Sequence, residues 1–168
     1  TRHEDASTRD AAEGAWRDAF LRAPYLRDAL VARGIFVETF ETAITWDKFD
    51  ALHARVVQAA RDAAETKALV SCRITHAYPD GAAPYFTVVA PARADAELSQ
   101  WLAVKTAITD AMLAEGGTTT HHHAVGRDFR PWYEQQVPTL LRSSLEAVKR
   151  QLDPSSILNP GVLLPEAD

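Results

Sequence analysis

The sequence predicts an α+β fold: a ferredoxin-like βαββαβ antiparallel sheet with helices on one face, flanked by further helices at the N- and C-terminal ends. Three observations predict it. Between residues 35 and 123 the hydrophobic spacing alternates between strand and helix periods in the order β-α-β-β-α-β. Breaker residues stand at the joints, namely Gly34, Pro79-Asp80-Gly81 and Gly116-Gly117. At 168 residues, with 46% hydrophobic and 24% charged residues, the chain has the size and apolar content of one folded domain.

The elements follow in order. Residues 1–9 are polar and expected to fray. From Asp10 to Leu21, Ala12, Ala15, Trp16, Ala19 and Phe20 recur at helical spacing. Pro24 is expected to break that helix and to open a second, short one running to about Ala32, which Gly34 stops. Ile35 to Ile44 is rich in Phe, Val, Thr and Ile and reads as a strand. Thr45 is a candidate N-cap, with Asp47 in the first helical turn. Phe49, Leu52, Val56, Ala60 and Ala63 then form the apolar stripe of a helix ending near Lys67.

Leu69 to Tyr78 reads as a strand and Tyr85 to Val89 as its return. Asp95 or Ala96 opens the next helix, with Leu98, Trp101, Leu102, Ile108 and Met112 assigned to its buried side. Gly116-Gly117 closes it. Thr118 to His123 is short and β-favouring, and supplies the last strand. Beyond it, Pro131 and Pro138 punctuate a helical region whose stripe is Leu141, Leu145, Val148 and Leu152.

Composition excludes several functions. The net charge of −5 leaves no nucleic-acid footprint. No apolar run is long enough to span a membrane and no signal peptide opens the chain, so a cytoplasmic location is expected. A single cysteine, Cys72, forbids an internal disulfide. There is no GxxxxGK[ST] loop, GxGxxG fingerprint or GxSxG elbow, so the main site of any nucleotide cofactor lies outside this chain.

Few residues stand out for chemistry. His121-His122-His123 falls where a strand end opens into a loop, a common place for reactive side chains. Zinc sites use three or four ligands, and with no HExxH and no paired cysteines no metal ligands are assigned. A surface or packing role is the ordinary alternative for the run. Arg27 is followed by Asp28, an arrangement usually no more than a solvated pair. On a regular strand Arg73, Thr75 and Ala77 share one face and Cys72, Ile74 and His76 the other; the ordinary role of Arg73 is to pair with a carboxylate at the edge of the core. Tyr85 opens a strand, where a half-buried packing tyrosine is the commoner case.

Taken together, these segments resemble a known family. Thr118-Thr119-Thr120-His121-His122-His123-Ala124-Val125-Gly126-Arg127 resembles the histidine motif of the alkyldihydroxyacetonephosphate synthases. Phe36-Val37-Glu38-Thr39-Phe40-Glu41-Thr42 with Trp46-Asp47, and Ser71-Cys72-Arg73-Ile74-Thr75-His76-Ala77-Tyr78, are similar to two further segments of that family. Leu152-Asp153-Pro154 through Asn159-Pro160-Gly161 resembles the ending of the wider FAD-linked oxidase, vanillyl-alcohol-oxidase-like superfamily. The resemblance runs from about residue 14 to 164.

It implies that residues 1–168 are a single cap domain over the substrate, that an FAD-binding domain lies upstream, and that the cofactor is FAD. It implies a reaction in which a fatty alcohol replaces the acyl chain of acyl-dihydroxyacetone phosphate in ether lipid synthesis, through an adduct on flavin N5. Residue by residue, Arg27 matches an arginine beside the departing carboxylate, where a guanidinium forms a two-point pair. Tyr85 matches a catalytic acid/base, and a phenol acts as a base near neutral pH only beside cations. His122 and His123 match residues that supply such charge, bind phosphate or deprotonate the alcohol. His121 and Asn159 are expected to approach the flavin. The implied partners are a lipid-like small-molecule substrate and the upstream FAD-binding domain, and a peripheral membrane contact and a homodimer are compatible with the same resemblance. Two other readings stay open: an FAD-linked oxidase or dehydrogenase of a hydroxy acid or alcohol, and a free-standing ferredoxin-like binding domain.

Overall fold

A computed structural model describes residues 6–165. Its elements are α1 (Ala6–Val31), β1 (Ile35–Glu41), β2 (Ile44–Thr45), α2 (Trp46–Ala64), β3 (Leu69–Ala77), β4 (Gly81–Pro91), α3 (Glu97–Ala114), α4 (Arg130–Gln136) and α5 (Thr139–Leu152). The long strand β4 is the centre of the sheet. β3 pairs along one edge of it, and β1 and then β2 pair along the other, all antiparallel. β1 ends opposite Tyr85 and β2 resumes opposite Ala82, so the strand expected over 35–44 is one edge with a two-residue interruption.

The core lies between this sheet and α2 and α3. Phe36 and Phe40 of β1, and Phe86, Val88 and Ala90 of β4, meet Leu52, Val56 and Ala60 of α2 and Val104, Ile108 and Met112 of α3. Alternation along the strands puts these side chains on one face and leaves Tyr85 and Thr87 on the other. α2 follows its predicted stripe closely, though Thr45 at its N-cap makes no side-chain cap bond. Gln100 is the polar exception in the core. Its amide donates to the carbonyls of Ala64 and Pro91 at 2.8 and 3.2 Å and its oxygen accepts from the Arg93 N–H, so its burial is compensated.

The structure corrects several expectations. Pro24 does not break the first helix: α1 runs through it as one element, and residues 6–9 belong to that helix, while residues 1–5 lie outside the described residues. Leu98 and Leu102 are 75% and 54% exposed, because the buried face of α3 is centred on Gln100, Val104 and Ile108 instead. The α5 stripe exists but is unpacked, with Leu141, Val148 and Leu152 exposed.

The largest correction concerns Thr118–His123, which is a loop and not a strand. The sheet therefore lacks the last strand of the expected βαββαβ order. Thr118 still docks beside the interruption between β1 and β2: its N–H donates to the Ala43 carbonyl at 3.1 Å and its hydroxyl accepts from the Ala43 N–H at 2.8 Å. The Thr42 hydroxyl donates to the Thr118 carbonyl at 2.6 Å. Gly117 permits this approach, since a Cβ there would stand 2.8 Å from both Leu52 Cδ1 and Thr42 Oγ1. The Thr119 N–H donates to Gln136 Oε1 at 2.8 Å, and from His121 the backbone donors turn to another acceptor, described next.

Candidate functional site

Glu41 is the last residue of β1, and its side chain is fully buried. Its Oε1 accepts three consecutive backbone N–H groups, those of His121, His122 and His123, at 2.6, 2.7 and 2.7 Å. One carboxylate thus gathers the donors that a neighbouring strand would otherwise have satisfied, and this is why the segment curls. Such charge-assisted bonds to backbone N–H are among the stronger ones available to a protein. The curl fans three imidazoles over the sheet face turned away from α2 and α3.

On that face the rings pack against β3 and β4. Tyr85 of β4 is stacked with His122 at 6.2 Å between ring centroids and meets His123 edge-on at 5.4 Å. Arg73 of β3, directly across the ladder, holds its guanidinium 4.5 Å from the Tyr85 centroid. His76 packs against both His121 and His122. Tyr78 Oη lies 3.1 Å from His121 Nε2.

His76 reaches this face by an irregularity. Pairing between β3 and β4 runs Arg73 to Tyr85 and Ile74 to Pro84, then skips Thr75 and resumes with His76 to Ala83. One extra residue in the strand reverses the alternation beyond it. Regular alternation would have set His76 opposite in sense to Arg73; the bulge puts both on the site. Arg73 is likewise corrected: it covers an aromatic ring rather than pairing with a carboxylate. Cys72 faces the core side, and burial pushes its thiol up.

The environment acts on His123 in a defined direction. Partial burial holds its imidazole below the usual 6.5, with the neighbouring His122 adding to the effect and Glu41 and Glu38 opposing it. His123 therefore favours the neutral form, which can accept a proton.

The sequence-predicted residues divide into groups. Tyr85, His122 and His123 come together. Arg27, on α1, does not touch that trio but lines a groove of about 680 Å³ with His123, Glu38, Trp101 and Lys105. Lys105 is buried in that groove against Trp101 and Phe129, with Asp128 3.5 Å away. Asn159 sits in a separate cavity near Lys149, and His121 does not line that cavity. There Asp153 accepts from Lys149 and from the N–H groups of Ile157 and Leu158, and these partners, Lys149 first, hold its carboxyl below the usual range. Glu41, His76 and Tyr78 were not singled out from the sequence, and Arg73 was read there only as a partner for a carboxylate. The bulge hid His76, and only the spacing of Glu41 ahead of the β1–β2 break could have hinted at its role.

The fold is an α+β domain with an ionisable cluster on the sheet face turned away from α2 and α3 and a groove beside it. The chain belongs to the family of FAD linked oxidases, C-terminal domain, whose pattern matches residues 2–163. It is 33% identical over 155 residues to an alkyldihydroxyacetonephosphate synthase of Trypanosoma brucei brucei, covering 89% of this chain and 25% of the relative. The synthase of Caenorhabditis elegans is 33% identical over 139 residues (79% and 23% covered), and that of Dictyostelium discoideum 26% over 160 residues (89% and 25%). Two solved structures of alkyldihydroxyacetonephosphate synthase share the fold at 20% identity, with TM-scores of 0.63 and 0.56; each covers 87% of this chain, and the chain covers 24% and 23% of them. This chain thus spans about a quarter of the length of these relatives.

The family is FAD-linked. Among the described residues no glycine-rich loop cradles a diphosphate. The exposed face does offer what an aromatic cofactor or anionic substrate needs as one wall: aromatic rings, hydrogen-bonding imidazoles and an arginine. These residues fit one wall of a site for a flavin ring.

Proposed function

We propose that this chain is the substrate cap of an FAD-dependent enzyme of the alkyldihydroxyacetonephosphate synthase kind, exchanging the acyl chain of acyl-dihydroxyacetone phosphate for a fatty alcohol. The observation that carries the reading is Tyr85 set among Arg73, His122 and His123 on the uncovered face of the sheet. When bound, the flavin supplies the reactive ring over which the substrate is held. The chain's own residues do the rest. The Tyr85 hydroxyl exchanges a proton with the substrate carbon. Neutral His123 takes the proton of the incoming alcohol, and His122 and Arg73 fix the phenol ring between them. Arg27 and Lys105, in the groove that reaches His123, suit the departing carboxylate or the phosphate. In this reading Asn159 and His121 approach the flavin from two separate places.

The implied partner is a flavin-binding domain, and the exposed stripe Leu141, Val148 and Leu152 on α5 supports a docking of that kind. Among the described residues no helix is long and apolar enough to cross a membrane, so any lipid contact would be peripheral. The alternative is a two-electron oxidation of a hydroxy acid or alcohol on the same face.

The product of the full reading frame, loaded with FAD, separates the two. Incubated with acyl-dihydroxyacetone phosphate and a long-chain alcohol, it is expected to form the ether without net flavin reduction. Arg27→Lys should lower that turnover roughly thirtyfold at unchanged melting temperature, because lysine keeps the charge but loses the two-donor fork. No ether product, with a flavin bleached by hydroxy acids, would establish the oxidase instead.

A further inference from the structure

We propose that Gln136, the last residue of α4, is a positioning residue for the histidine loop: its amide brackets residues 117–119 and so sets where His122 and His123 stand against Tyr85. The proposal rests on the reading of those three side chains as the reacting groups, in either the synthase or the oxidase form.

The backbone of the loop carries the argument. A segment without a strand partner must satisfy its polar groups elsewhere. The N–H groups of Thr119, His121, His122 and His123 go to two side chains, Gln136 for the first and Glu41 for the other three. Gln136 Oε1 accepts the Thr119 N–H at 2.8 Å and the Thr119 hydroxyl at 3.1 Å, while its Nε2 donates to the Gly117 carbonyl at 2.9 Å. One amide thus presents an acceptor and a donor to the loop, as a neighbouring strand would. Glu41 grips the far end of the loop and Gln136 the near end, and the three imidazoles hang between them and the sheet.

The place of Gln136 is itself fixed. Pro131 stands in the first turn of α4, and Val137, extended ahead of Pro138, ends the helix at Gln136. Trp132 is buried and its Nε1–H donates to Asp110 Oδ1 of α3 at 2.6 Å, so the bracket is anchored to the core. Gln136 is exposed and adds nothing to the apolar core, whereas Thr119, which depends on it, is buried. Its removal should therefore loosen the loop and spare the fold. Gln135 is an internal control: it is also exposed, and its amide donates only to the Pro131 carbonyl within α4.

The test compares Gln136→Met with Gln135→Met in the FAD-loaded full-length enzyme, in ether formation or, where that reaction is absent, in hydroxy acid oxidation. For Gln136→Met, kcat should fall at least about tenfold with KM within about twofold, because misplaced groups slow the chemical step more than binding. The melting temperature should stay within a few degrees, as for loss of surface hydrogen bonds. Amide exchange should quicken at Thr119 and at 121–123 alone. In this chain the His123 ring, followed by NMR, should titrate closer to the ordinary 6.5 as the loop opens to water. Gln135→Met should change none of these. Absence of ether formation bears on the reaction and leaves the exchange and ring titration to decide the role of Gln136. Exchange and titration like the wild type in Gln136→Met would overturn the proposal, as would an equal fall in kcat in Gln135→Met. A collapse of the melting temperature would make Gln136 a residue of the fold and overturn it too.

Discussion

The two faces of the sheet follow opposite rules. Toward α2 and α3, Phe40, Phe86, Leu52, Val56 and Ile108 are wholly buried and apolar, and their arrangement is fixed by area removed from water. Away from those helices, Arg73, His76, Tyr85 and the three consecutive histidines are at least partly exposed and make directional contacts. Glu41 belongs to both: it is as buried as a core residue, yet its whole function is electrostatic. A single ladder of alternating residues can thus stabilise with one side and present chemistry on the other. Mutations on the two sides should separate stability from activity.

The sharpest separation comes from Phe40→Ala. It removes a fully buried ring and should cost about 3–5 kcal/mol in urea unfolding. Tyr85→Phe is its counterpart. Turnover of the FAD-loaded full-length enzyme should fall at least about 100-fold, while the unfolding midpoint stays within error. A large drop in stability with turnover retained would place Tyr85 among the packing residues.

Glu41→Ala should blur the two faces, because it leaves the N–H groups of His121, His122 and His123 without their acceptor. A stability loss of about 3 kcal/mol is expected, with faster amide hydrogen exchange confined to the 118–123 loop. Exchange unchanged there would mean that the loop keeps its shape without Glu41.

The smallest expected effect is in pH. The folded state holds His123 below its ordinary 6.5, mainly by burial. Above 6.5 both states are neutral and His123 contributes nothing to the pH dependence. As the pH falls below 6.5 the unfolded chain takes up the proton first, so stability drops until the folded-state value is passed. His123→Gln should flatten that part of the curve, followed as melting temperature between pH 7 and 5. An unaltered slope would assign the acid sensitivity to other groups.

Much of the covered face was legible in the sequence. The Leu52, Val56 and Ala60 stripe, the turn at Pro79-Asp80-Gly81 and the stop at Gly116-Gly117 are local signals, and local geometry obeyed them. The failures were tertiary. Pro24 reads as a helix break, yet α1 continues through it. Leu98 and Leu102 fit a buried stripe only if α3 is turned away from Gln100, whose amide reaches carbonyls of two other segments. Thr118-Thr119-Thr120 favours a strand, but a side chain 80 residues earlier claims the following backbone donors. On the uncovered face, Tyr85 and the histidines were visible as a family resemblance, whereas Arg73, His76 and Glu41 required the register of β3 and the end of β1.

The skipped residue Thr75 changes how β3 can vary. Before it, odd-numbered positions look onto the site; after it, even-numbered ones do. Adding or removing one residue at that point leaves the apolar ladder from Val70 to Cys72 undisturbed while exchanging the entire set of side chains that His121 and His122 meet. The strand is in effect a ruler with a movable second half. Differences in chemistry among relatives that share this sheet could then arise from a change in length as readily as from a change in residue, and such a change would be missed by any comparison that treats the strand as rigidly alternating.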